Sequence, residues 1–135
     1  MDAAARALAD LTEISSQIEA AVLLDQSGAV VAATEGAGES LGTAAQALLA
    51  AADEARGAGQ RALTQLEAAT LEGSVFVVRD PSGLTIAATT RPDPTVGLVF
   101  YDLKHCLRSL AEPEVEPEPV PAAPSRRRKA ADGAA

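Results

Sequence analysis

Apolar residues recur at three-to-four spacing from Asp2 to about Glu19, at Leu8, Leu11, Ile14 and Ile18, while Arg6, Asp10, Glu13 and Gln17 fill positions between them. That period predicts an amphipathic first helix. The pattern then changes to Ala21-Val22-Leu23-Leu24, a short continuous apolar run closed by Asp25-Gln26-Ser27-Gly28, after which Ala29 to Ala33 resumes it. Two short runs around a glycine-bearing turn predict a hairpin. Gly36-Ala37-Gly38 breaks the pattern, and Ser40 is placed to cap a second helix that runs to about Gly57 through Leu41, Ala44, Ala45, Leu48, Ala52 and Ala55.

The second half repeats this logic. Leu63 to Leu71 alternates weakly, with Gln65 and Glu67 on one side and Leu66 and Ala68 on the other, as an edge strand would. Ser74 to Arg79, the turn Asp80-Pro81-Ser82-Gly83 and Leu84 to Thr89 predict a second hairpin. Beyond Pro92 and Pro94, residues Val96, Val99, Phe100, Leu103, Leu107 and Leu110 return to helical spacing and end near Ala111. Asp25 to Thr34 echoes Asp80 to Thr89; recurrence of one turn chemistry explains the echo, and an internal duplication is the alternative.

The predicted order is therefore helix, two strands, helix, three strands, helix, in one domain spanning residues 1–111. Residues 112–135 differ in kind: a Glu/Pro-rich stretch precedes Arg126, Arg127, Arg128 and Lys129. Proline at that density forbids helix or central strand, so a disordered, partly polyproline-II tail is expected. Its basic cluster suits an acidic partner or anionic lipid, or serves solubility and spacing alone.

Composition narrows the function. With 135 residues, 47% of them hydrophobic, one real core is expected. Only 2% are aromatic, so that core is built of Ala, Val, Leu and Ile. A formal charge of −8 opposes nucleic-acid binding, which needs a basic surface. One cysteine excludes an intrachain disulfide and a cysteine zinc site. The start lacks the basic and apolar regions of a signal peptide, and no apolar stretch reaches the ~20 residues of a membrane span. A cytoplasmic protein without membrane insertion is expected.

A catalytic site is hard to assemble. His105 and Cys106 are the only residues of their types and are neighbours on one predicted helix, where adjacent side chains point about 100° apart. Cys106 lies near the Leu103/Leu107/Leu110 stripe and reads as a small core hydrophobe. The loop Gly36 to Gly42 has Leu41 where a dinucleotide fingerprint has its third glycine, and no P-loop lysine follows. The carboxylates are scattered. No enzyme activity, cofactor or metal is expected.

In its order and spacing the chain resembles the roadblock (dynein-light-chain-type) family, and within it the bacterial MglB-like branch. The resemblance covers roughly residues 4 to 111 and is carried by Asp25-x-x-Gly28 after an apolar strand, the Ala/Leu-rich second helix, Val75-Phe76-Val77-Val78 before Gly83-Leu84, and Thr95-Val96-Gly97-Leu98. It implies an α/β (α+β) profilin-like sandwich, α-β-β-α-β-β-β-α, in which a five-stranded antiparallel sheet lies between helices. It further implies a non-catalytic adaptor or regulator that forms a homodimer or pairs with a paralogue, and that binds a small Ras-like GTPase. The alternatives are a structural dimerisation subunit with no GTPase partner, and a small-ligand sensor.

The resemblance puts the dimer interface on the second helix and third strand, here Leu41, Ala45, Leu48, Leu49, Ala52, Leu66 and Ala68. The opposite helix face, Thr43, Gln46, Ala50, Asp53, Glu54 and Gly57, becomes the expected partner surface. The same six positions also fit an ordinary solvated helix face.

Overall fold

A computed structural model describes residues 2–36, 38–57 and 64–111. Eight elements follow in chain order: α1 (Ala3–Ile14), β1 (Ile18–Leu24), β2 (Val30–Ala33), α2 (Glu39–Arg56), β3 (Gln65–Thr70), β4 (Gly73–Arg79), β5 (Thr85–Thr90) and α3 (Val96–Ala111). The strands form one antiparallel sheet in the order β2-β1-β5-β4-β3. This is the predicted five-stranded sandwich. Leu63 and the tail, including Arg126 to Lys129, lie outside the described residues.

The apolar runs in β1, β4 and β5 follow from burial on both faces. Side chains alternate across a strand. Ala21, Leu23, Phe76, Val78, Ile86 and Ala88 point to the α1/α3 side, where they meet Leu8, Leu11, Val99, Leu103, Cys106 and Leu107. Val22, Leu24, Val77 and Ala87 point the other way, onto Ala45 and Leu49 of α2. A strand covered on both sides gains nothing from polar alternation, which is why Ala21 to Leu24 reads as unbroken apolar sequence. Phe76 and Phe100 meet edge to face, with centroids 5.0 Å apart at 75°, and fasten α3 to the sheet.

Two boundaries depart from the sequence pattern. The first helix stops at Ile14, and Ile18 belongs to β1, where it is buried opposite Thr90. Ser15 turns to extended backbone while its N–H still bonds to the Leu11 carbonyl. The turn is then held from outside: Arg91 donates to the Ser16 carbonyl at 2.6 Å, and the Thr95 N–H donates to the Gln17 side chain at 2.6 Å. Pairing with β5 outweighs the helical period at Ile18, and Ile14 is left exposed.

The second departure is at α2. The cap is Gly38 rather than Ser40, and Ser40 sits inside the first turn. Gly38 adopts φ 108°, which a residue with Cβ rarely takes, and its carbonyl accepts the Gly42 N–H at 2.9 Å. Glu39 in the first turn and Arg56 in the last complement the helix dipole. Gly42 is buried against the sheet, where an added Cβ would meet Leu24 at 3.1 Å. The helix therefore packs close, through Gly42, Ala45 and Leu49.

Candidate partner surface

The predicted site residues lie on α2, which packs over β1 and β5, and on β3 at the edge of the sheet. Of the expected partner positions, Thr43, Gln46, Ala50, Glu54 and Gly57 are exposed. Asp53 differs. It is half-buried, and Arg79 of β4 places Nη2 3.1 Å from both of its carboxylate oxygens. Its charge is aimed along the protein rather than outward.

The stripe expected to contact a second copy divides in two. Ala45 and Leu49 are taken up by the chain's own core, 0% and 4% exposed, so they do not form a surface. Leu41, Leu48, Ala52, Leu66 and Ala68 are half-buried around them, with Leu41, Leu48 and Leu66 packed on the same cluster. Ala44 and Ala55, which share the helical spacing of Leu41, Ala45, Leu48 and Ala52 in the sequence, are exposed. The stripe that meets the sheet is Gly42, Ala45, Leu49 and Ala52, at the same three-to-four spacing rotated slightly around the helix. Alanine on both the buried and the exposed side of the helix hid this rotation, because Ala45 and Ala52 look like Ala44 and Ala51 in the sequence.

With the helix so turned, Ala44, Ala47, Ala51 and Ala55 form an outward row of small side chains, joined by Ala50. β3 is the edge strand of the sheet and among the described residues pairs only with β4, in register from Gln65 opposite Val78 to Thr70 opposite Gly73. Glu67 points outward and accepts a hydrogen bond from Ser74 at 3.2 Å.

One end of this face is braced by the turns. Asp25 Oδ1 accepts from the Ser27 N–H at 2.9 Å, the Ser27 hydroxyl at 2.6 Å and the Ala29 N–H at 3.1 Å. Asp80 Oδ1 repeats these bonds with Ser82 and Leu84 at the same three distances. The sequence echo is thus one turn chemistry used twice. The turns lie side by side, since a Cβ on Gly83 would meet Gln26, and one on Gly28 would meet the amide of Gln46 on α2. Hydrogen bonds from Ser27 and Ala29 hold the Asp25 carboxyl below its usual pKa.

The residues considered for catalysis are placed otherwise. Cys106 is 5% exposed and its thiol donates to the Ala7 carbonyl at 3.7 Å. Burial, with the charge of Asp10, pushes its pKa up to about 11, opposite to what a nucleophile needs. His105 stacks on Tyr101, with ring centroids 6.4 Å apart. Among the described residues, no three His, Cys, Asp or Glu side chains converge on a metal-sized site, and no helix is long and apolar enough to cross a membrane.

No family model matches the sequence, and a search of curated proteins finds no match. Solved structures do match. A roadblock/LC7 domain from Streptomyces avermitilis aligns with a TM-score of 0.69 at 18% identity, covering 78% of this chain and 92% of that one. An MglB structure with a tetrameric arrangement aligns at 0.67 and 19%, covering 80% and 85%. LokiProfilin2, in its complex with rabbit actin, aligns at 0.58 and 14%, covering 78% and 92%. The fold is the one shared by roadblock domains and profilins.

Proposed function

We propose that this chain is an MglB-like roadblock adaptor. It pairs with a second copy or a paralogue and presents α2 to a small Ras-like GTPase, whose nucleotide cycle or location it modulates in the cytoplasm. Two observations carry the reading: the outward row Ala44, Ala47, Ala51 and Ala55 on α2, and β3 at the edge of the sheet. Small side chains let two helices approach closely, and an unpaired strand edge is completed by a partner strand. The tetrameric arrangement of the MglB relative supports assembly of this fold through its surfaces.

The part played is regulatory rather than chemical. The one thiol is buried and protonated, and α2 offers no exposed arginine toward its middle. Acceleration of hydrolysis would then arise from reshaping the GTPase's own switch regions.

The test is affinity capture by the full chain from its source cytoplasm, with a non-hydrolysable GTP analogue and again with GDP. A Ras-like GTPase enriched in one nucleotide state, and lost with Ala47→Arg, supports the reading. Light scattering on the same variant reports the assembly. Capture that ignores nucleotide, by a chain that still pairs, identifies a structural dimerisation subunit instead.

A further inference from the structure

The opposite side of the molecule carries a groove of about 420 Å³ between α1 and α3. Its carboxylates are Asp10, Glu13 and Asp102; His105, Tyr101 and Cys106 also line it, and no lysine or arginine does. The mouth is apolar and aromatic, with Ile14 67% and Tyr101 60% exposed on facing helices of the same groove. Carboxylates around an exposed aromatic ring suit guanidinium groups, which pair with the acids, stack on the ring and lay their stems along apolar surface.

We infer that the α1/α3 groove is the docking site for a basic segment, and that its occupant is Arg126 to Lys129 of the same chain. Charge is the first argument. In a chain of net charge −8, these are four consecutive cations, set off by the uncharged residues 119–125 from Glu112, Glu114, Glu116 and Glu118 of the same tail, and the groove brings three carboxylates together on the folded domain. Reach is the second. Tyr101 and Asp102 lie about 14 Å back along α3 from Ala111 at 1.5 Å per residue. The roughly 15 residues from Ala111 to Arg126 span up to about 50 Å at 3.3 Å each. Tethering also raises the local concentration of the segment to about millimolar, so that a weak dock is filled in cis. This inference is independent of the role proposed for α2, whose face lies across the sheet.

The experiment is paramagnetic broadening in the full chain. A nitroxide is attached at Ala131→Cys, with Cys106 buried and unlabelled, and amide signals are read by NMR. The expected result is at least a twofold intensity loss at residues 10–14 and 101–109, with the outward face of α2, across the sheet, much less affected. It should vanish with Asp10→Lys plus Asp102→Lys, and equally when Arg126 to Lys129 are replaced by glutamate, a change outside the folded domain. Uniform or misplaced broadening, or broadening that survives the glutamate variant, overturns the proposal. So does broadening of an isotope-labelled, nitroxide-free chain by a nitroxide-bearing chain without isotope label in a mixed sample, which would make the occupant the tail of a second copy.

Discussion

Arg79 of β4 and Asp53 of α2 meet through Nη2, 3.1 Å from each carboxylate oxygen, and link the sheet to the helix that lies on it. Their side chains are 21% and 36% exposed, so water and salt screen the pair. Asp53→Ala should therefore cost less than about 1 kcal/mol. Denaturant melts at low and high salt would check this, and the cost should shrink as salt rises. A loss above about 2 kcal/mol would mean that the pair anchors α2.

Gly73 should tolerate no side chain. Its φ is 149°, and a Cβ there would collide with the Thr90 carbonyl oxygen of the neighbouring strand. Gly73→Ala should cost upwards of about 2 kcal/mol, combining strain with displacement of backbone. Gly57, with φ 96° but nothing within 4 Å, is the control, and Gly57→Ala should cost about 1 kcal/mol from conformation alone. Equal costs in urea unfolding would show that the contact with Thr90 does not matter.

Cys106 should be chemically silent in the folded protein. A thiol with a pKa of about 11 is roughly one part in a thousand thiolate at pH 8. Reaction with a thiol reagent should be slow in buffer and complete within minutes in denaturant. Rapid labelling of the native chain would show that the α1/α3 interface opens.

Asp25 predicts a pH dependence with a definite sign. Its folded pKa is depressed below the ordinary 3.8, so its contribution is fully present above that value and is lost as pH falls through the folded pKa. An NMR titration of the Asp25 carboxyl should give a midpoint below 3.8, and Ser27→Ala should move it upward, since the Ser27 hydroxyl bond is the largest cause. A midpoint unchanged by Ser27→Ala would reject the hydrogen bond as the cause.

Eight elements in their order were legible in the sequence because local physics writes them there. Apolar runs bounded by Asp-x-Ser-Gly turns specify hairpins, and three-to-four spacing specifies helices. Both turns appear as their residues require. Composition likewise pointed to a core of small aliphatic side chains, and the buried positions agree.

Other features depended on distant partners. Ile18 continues the helical spacing of Leu8 and Leu11 yet becomes strand, because Thr90 lies opposite it from 72 residues away in a register that no local pattern encodes. In α2, alanine on both the buried and the exposed side left the rotation of the helix open, and only close packing at Gly42 and Ala45 turned Ala44, Ala47 and Ala51 outward while taking Ala45 and Leu49 inward. Asp53 looked like partner surface until Arg79 arrived beside it from another strand. Backbone conformation and turn chemistry act over a few residues and are written in the sequence; which face is buried, and which charge is neutralised, is decided by contacts that exist only once the sheet has formed.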